Sequence, residues 1–153
     1  MSISGYKKID DPKTLRGVIV IVQDSENRIL LGERRYTVAA GSWGTPGGRY
    51  EINESELECA MRETKEETGL DVYDPEIFGG EFKLSAYGYN FEFMGIVAKK
   101  YSGTPIVIPN ENHSRWDWFS LDELPTPLFV PAGYAIQYYK EKKERQFTKS
   151  IQV

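Results

Sequence analysis

Between Gly48 and Leu70 the chain reads GRYEINESELECAMRETKEETGL, and this stretch constrains the fold more than any other. Glu51, Glu54, Glu56, Glu58, Glu63, Glu66 and Glu67 are acidic, against the basic Arg49, Arg62 and Lys65. The run from Arg62 to Thr68 favours a helix, and Gly69 supplies its stop. At about 100° per residue, Glu56, Glu63, Glu66 and Glu67 share one arc. Leu57, Ala60, Met61, Thr64 and Thr68 form a neighbouring arc expected to face a core, while Glu58, Arg62 and Lys65 point elsewhere. Carboxylates crowded on one helix face repel one another unless a cation neutralises them. Hard oxygen ligands of this kind suit Mg²⁺, for which Mn²⁺ can substitute.

Around this helix the pattern is that of a mixed α/β domain. Leu15 to Gln23 is continuous and β-branched, the pattern of a buried strand. Asp24-Ser25-Glu26-Asn27 turns the chain, and Arg28 to Arg34 returns, which predicts a hairpin. Tyr36 to Gly44 reads as a loop, and Thr45-Pro46-Gly47-Gly48 delivers the chain to the acidic helix. Glu76 to Ser85 and Tyr87 to Lys99 read as strands, the second placing Tyr89, Phe91 and Phe93 on one face. Ile106 to Ile108 is a short apolar segment, and Trp116 to Phe119 alternates again. Ser120 to Glu123 suggests a capped helical turn. Pro131 to Phe147 predicts an amphipathic terminal helix, opened by proline and carrying Lys140, Lys142, Lys143 and Arg145 late. Residues 1–13 read as a polar arm.

The 153 residues suit one domain with its own core. A net charge of −4 and a pI near 5.2 argue against a general nucleic-acid or membrane-surface binder. Val18 to Val22, the longest apolar stretch, is far too short to span a bilayer. The single Cys59 cannot form an internal disulfide, which fits a reducing cytoplasm, and no leader pattern opens the chain.

The positions Gly48, Glu54, Arg62, Glu63, Glu66, Glu67, Gly69 and Leu70 resemble the signature of the Nudix hydrolases, the MutT-like pyrophosphohydrolases. Thr64 alone departs, standing where an aliphatic residue is usual, and its methyl group can still pack inward. The resemblance covers the chain from Gly17 to about Pro131. It implies an α/β/α sandwich with a mixed sheet, in which the signature forms a loop-helix-loop. It further implies that Glu63, Glu66 and Glu67 ligate divalent metal with help from the Gly47 carbonyl, while Arg62 and Glu54 orient those ligands. A further carboxylate in the loop before the Trp116 strand falls on Glu111. His113, the only histidine, is the competing base. As a lone loop histidine it is expected to be solvated, and Glu111 is preferred.

Metal-held phosphates and an aimed water are what hydrolysis of a phosphoanhydride requires. Ala40 to Gly48, Glu58-Cys59-Ala60 and Leu124 to Phe129 are similar to the small nucleoside triphosphate diphosphatases, which release a nucleoside monophosphate and pyrophosphate. Homodimers are common among them. Arg49 stands where that subgroup commonly has histidine, and Gly-Gly-Arg occurs among GDP-mannose hydrolases. The resemblance therefore leaves open nucleotide-sugar hydrolysis of the GDP-mannose or ADP-ribose type and, through Tyr87, hydrolysis of dinucleoside polyphosphates. A catalytically idle nucleotide sensor is the rival of another class, and the full glutamate set argues against it. For a small nucleotide substrate, Trp43, Tyr36, Tyr87 and Phe129 are candidates for stacking on the base. Arg34, Arg35 and Arg49 are candidates for meeting phosphates.

Overall fold

Strand β1 (Lys13–Val22) is buried on both faces, and the rest of the molecule is arranged around it. The computed structural model describes residues 13–36 and 38–151, so the proposed arm lies outside the described residues except for Lys13. Val18, Val20 and Val22 point to one side of β1, where they pack with Cys59 and Ala60 of helix α1 (Glu56–Thr68). Ile19 and Ile21 point to the other, among Ala132, Ala135, Ile136 and Tyr139 of helix α2 (Val130–Ile151). A strand with helices on both faces has no polar face to offer, which is why its sequence runs apolar without alternation.

Over the described residues β1 is one of the two inner strands of a four-stranded mixed sheet. It pairs antiparallel with β4 (Gly47–Arg49) and parallel with β7 (Tyr89–Ala98), which pairs antiparallel with β6 (Glu76–Ala86). A second, antiparallel sheet places β2 (Arg28–Arg34) between β3 (Trp43–Gly44) and β9 (His113–Ser120). Short β5 (Asp71–Tyr73) and β8 (Lys100–Ser102) pair separately. Leu30 packs on the α1 side and Ile29 and Leu31 on the α2 side, so the second sheet closes the same two cores.

Three expectations are corrected. The segments before and after Asp24 form no paired hairpin: beyond one Gln23–Ile29 bridge, β1 and β2 enter different sheets. The turn itself is built as read, with Asp24 Oδ1 accepting from the N–H groups of Glu26 and Arg28. Met61 is 37% exposed, while Cys59, which the helix period places on the acidic arc, is buried. Ser120 to Glu123 makes a turn closed by a Glu123 N–H to Ser120 carbonyl bond, not a helix. No helix among the described residues is long and apolar enough to cross a membrane.

Helix α1 is fixed at both ends. Ser55 caps its start in a capping box, its hydroxyl accepting from Glu58 N–H while the Glu58 carboxylate accepts from Ser55 N–H. Gly69, at φ 81°, ends it in the left-handed region and donates to the Lys65 carbonyl.

Candidate active site

The two glycines of β4 let three elements meet where a side chain would keep them apart. A Cβ on Gly47 would lie 2.3 Å from the Val18 carbonyl oxygen, and one on Gly48 would lie 2.3 Å from the Glu63 carboxyl carbon. Across the ladder, a Cβ on Gly17 would sit 1.9 Å from the Gly48 carbonyl oxygen. Strand β4 is therefore pressed between β1 and the acidic face of α1.

Arg62 organises that face. Its guanidinium grips both oxygens of Glu54, through Nε at 2.6 Å and Nη2 at 2.8 Å. The same group donates to Glu63 Oε1 at 3.0 Å, Glu66 Oε2 at 3.2 Å and the Arg49 carbonyl at 2.9 Å. The fork geometry of arginine makes this set of contacts possible, and a lysine could not reproduce it. The hydrogen bond from Arg62 pulls the Glu54 carboxyl down to about 2. Glu63 shifts the opposite way, because burial resists its charge more than Arg62 supports it.

Glu67 is buried at 4% exposure, and its Oε1 accepts from the Gly47 N–H at 2.9 Å. Burial raises its pKa well above the usual carboxylate range; that hydrogen bond opposes the shift, and the negative charges of Glu63 and Glu111 add to it. Its second oxygen lies 3.4 Å from Nδ1 of His113. His113 is thus no solvated loop residue: it opens β9, is 2% exposed, and its ring lies 4.4 Å from that of Trp116. Burial, reinforced by the charge of Arg34, pushes the imidazole down to about 3, so it is neutral at ordinary pH.

Beside Glu67 a pocket of about 50 Å³, open to solvent, extends between the two sheets. Gly47, Gly48, Arg49 and Glu67 line one part, Leu15, Phe91, Phe93 and Phe129 supply apolar wall, and Arg34, Thr45, Asn112 and His113 add polar groups. Arg34 is 7% exposed, with its guanidinium carbon 3.9 Å above the Phe129 ring, and its Nη2 has no hydrogen-bond partner among the described residues. Burial lowers its pKa.

The sequence candidates separate on this map. Arg34, Gly47, Arg49, Glu67 and Phe129 line the pocket. Glu54, Arg62, Glu63 and Glu66 form the network beside it. Tyr87 stands behind the wall, stacked on Phe129 at 5.6 Å, its hydroxyl accepting from the Val130 N–H. Arg35 donates to the Glu111 backbone carbonyl, and Glu111 is partly exposed outside the pocket lining. Trp43 is a core residue, edge-on to Phe119 at 5.1 Å, and Tyr36 is 81% exposed; neither lines the pocket. Thr45, Asn112 and the Phe91–Phe93 wall are additions. The alternation of β7 could have pointed to that wall.

Among the described residues no three His, Cys, Asp or Glu side chains are gathered into a ready cation cage. Glu63 and Glu66 are held by Arg62, and Glu67 by Gly47. The donor set still fits a hard divalent cation: it is all oxygen, and burial opposes the charge on Glu63 and Glu67, so both gain from a positive neighbour.

A family model described as NUDIX domain matches residues 13–139. An NAD-capped RNA hydrolase NudC of Stutzerimonas stutzeri is 30% identical over 131 residues, which cover 84% of this chain and 43% of that protein. The chain thus spans less than half the length of that relative. An oxidized purine nucleoside triphosphate hydrolase of Danio rerio is 29% identical over 117 residues, covering 71% of this chain and 67% of that one. The crystal structure of a MutT NUDIX hydrolase from Burkholderia pseudomallei matches with a TM-score of 0.75 at 28% identity, over 82% of this chain and 98% of that one.

Proposed function

The chain belongs to the Nudix family, and we propose that its pocket converts a nucleoside triphosphate, ribo- or deoxyribo-, to the monophosphate and pyrophosphate. Members of this family hydrolyse acid anhydrides in phosphorus compounds and generally depend on a divalent metal; this chain is such a hydrolase, acting on nucleotide-linked substrates. The observation that supports the finer reading is the continuity of the pocket. An apolar slot of Phe91, Phe93 and Phe129, capped by a buried guanidinium with a free donor, runs into the glycine strand and Glu67. Such a slot suits a flat heterocycle carrying hydrogen-bond acceptors, with its phosphates toward the glutamates. The Danio rerio relative, an oxidized purine nucleoside triphosphate hydrolase, is in keeping with it.

In this reading Glu63, Glu66, Glu67 and Glu111, with the Gly47 carbonyl, hold Mg²⁺ or Mn²⁺. Bound there, the cation neutralises phosphate charge and acidifies a water. Arg62 fixes the directions of Glu63 and Glu66, and Glu54 holds Arg62 in turn. Glu111 takes a proton from the attacking water, on a loop tied to β2 through Arg35. Arg49, at the pocket edge, meets phosphate.

The test is turnover of a panel of NTPs, dNTPs, ADP-ribose, GDP-mannose, dinucleoside polyphosphates, FAD and NAD with Mg²⁺, products resolved by chromatography. Monophosphate plus pyrophosphate from one or more triphosphates is expected. Preferential cleavage of a dinucleotide or nucleotide-sugar overturns the triphosphate assignment, and no turnover with either Mg²⁺ or Mn²⁺ returns the idle sensor.

A further inference from the structure

His113 meets the acidic helix from the opposite sheet, and nothing in the signature calls for it. Its Nδ1 lies 3.4 Å from Glu67 Oε2, the oxygen that Gly47 N–H does not hold. The ring has little freedom. A Cβ on Gly32 would lie 2.8 Å from its Cδ2 and equally close to the Trp116 ring, whose centroid is 4.4 Å from that of His113. Both residues belong to the β2–β9 pairing, in which Arg34 is the partner of His113 across a register shift after Glu33. Glu67 is therefore flanked by two groups from two different sheets, one at each carboxylate oxygen. Neither ring nitrogen of His113 has a hydrogen-bond partner among the described residues. A buried imidazole without partners is costly, and Glu67 Oε2, 3.4 Å from Nδ1, stands close enough to become its acceptor.

We propose that His113 is a positioning residue that orients the Glu67 carboxylate for cation binding through Nδ1–H. The inference rests on the reading of Glu67 as a cation ligand. A carboxylate held at one oxygen can still swing about its own bond, while one held at both presents a fixed edge, and groups that fix a ligand in this way typically contribute 10–100-fold in metal affinity or activity. The role differs from that of a general base. A base must reach water and exchange protons during turnover, whereas this ring is 2% exposed and packed close to Gly32 and Trp116.

His113 is the only histidine in the chain, so its ring can be observed without ambiguity. In the Mg²⁺-saturated wild-type protein, long-range ¹H–¹⁵N correlation spectra are expected to show a neutral ring with the proton on Nδ1. The Nε2–H tautomer overturns the proposal, and this measurement needs no variant to fold. Mn²⁺ binding, followed by the free-ion electron paramagnetic resonance signal, is expected to weaken about tenfold or more in His113→Ala and to recover largely in His113→Asn, which restores a short N–H donor. Unchanged Mn²⁺ affinity in His113→Ala overturns the positioning role. Glu67→Gln separates the two layers. Lost binding there with retained binding in His113→Ala removes only the role of His113, whereas retained binding in Glu67→Gln removes the ligand assignment and the inference with it.

Discussion

The backbone N–H of Gly47 donates a 2.9 Å hydrogen bond to Oε1 of Glu67, joining strand β4 to helix α1 across 20 positions of sequence. This bond anchors a buried carboxylate at the mouth of the pocket. Glu67→Gln keeps the Oε1 acceptor and removes the charge, and Glu66→Gln does the same at the exposed end of the cluster. Both variants are expected to fold, with cation-free melting temperatures equal to or above wild type because repulsion is relieved. Turnover should fall about a thousandfold, equivalent to roughly 4 kcal/mol in the barrier. Near-normal rates in both would remove these residues from the site.

Gly17 pairs with Arg49 and Gly48 with Val18 across the β1–β4 ladder, yet alanine at the two glycines should act differently. At Gly48 the added carbon meets the end of the Glu63 side chain, which can move. Gly48→Ala should therefore fold with a modest loss of stability and lose most of its activity. At Gly17 the added carbon meets backbone at 1.9 Å, which cannot yield without opening the ladder. Gly17→Ala should lower the melting temperature far more. Thermal unfolding beside steady-state rates separates the two, and equal losses of stability would refute the distinction.

How much of this was readable from sequence depends on whether the signal was local. The acidic helix was, because its spacing repeats with the helix period, and the Ser55–Glu58 capping box could have fixed its first residue. The double burial of β1 was legible from its unbroken apolar run. Pairing partners were not: the Asp24 turn has the same side-chain bonds whether its flanking strands pair or diverge, and β1 is claimed by β7 from far along the chain. His113 was misread for the same reason. It sits in a polar run with no periodicity, and what buries it comes from Gly32 and from the α1 face. Trp43, a stacking candidate on a loop in the sequence, is drawn into the core by its backbone bonds to Pro127 and Phe129.

The neutral burial of His113 has a consequence for stability. Its pKa is lowered from 6.5 to about 3 in the folded state, so the unfolded chain binds a proton first as pH falls. Stability from this group is complete above about pH 6.5 and is lost progressively toward pH 3, at no more than about 1.4 kcal/mol per pH unit. Glu67, raised in the fold, acts with the opposite sign: its contribution is present below the unfolded carboxylate value and lost as pH rises through the folded one. The positive charges of Arg34 and Arg35 add to burial in holding the imidazole value down. Subtracting the urea-unfolding curve of His113→Asn from that of wild type isolates the histidine. The difference should steepen between pH 6.5 and 4, and a flat difference would show that the ring is not buried neutral.

Glu111 gives a smaller, separable effect. A cation already lowers the pKa of its bound water, so one added carboxylate tunes the step and does not create it. Glu111→Gln is expected to reduce turnover by about tens to a thousandfold, less than Glu67→Gln, and to alter the pH–rate profile. Because Glu111 is partly exposed, its loss should leave the melting temperature nearly unchanged. A silent Glu111→Gln would remove the loop carboxylate from the reaction.

The position of bond cleavage follows from which atoms the glutamates face. Carboxylates that hold a cation against phosphate oxygens favour attack at phosphorus with an anhydride oxygen leaving. Run in ¹⁸O-water, a nucleoside triphosphate should give monophosphate and pyrophosphate with a single label in one of the two, and no diphosphate plus orthophosphate. A nucleotide-sugar, if accepted, should likewise carry the label in a phosphate and release a sugar phosphate. The buried ring of His113 is poorly placed to act as a base toward a sugar carbon, which is what cleavage at that atom would require. Label recovered at the anomeric carbon of a free sugar would overturn attack at phosphorus and reassign this pocket to glycosyl chemistry.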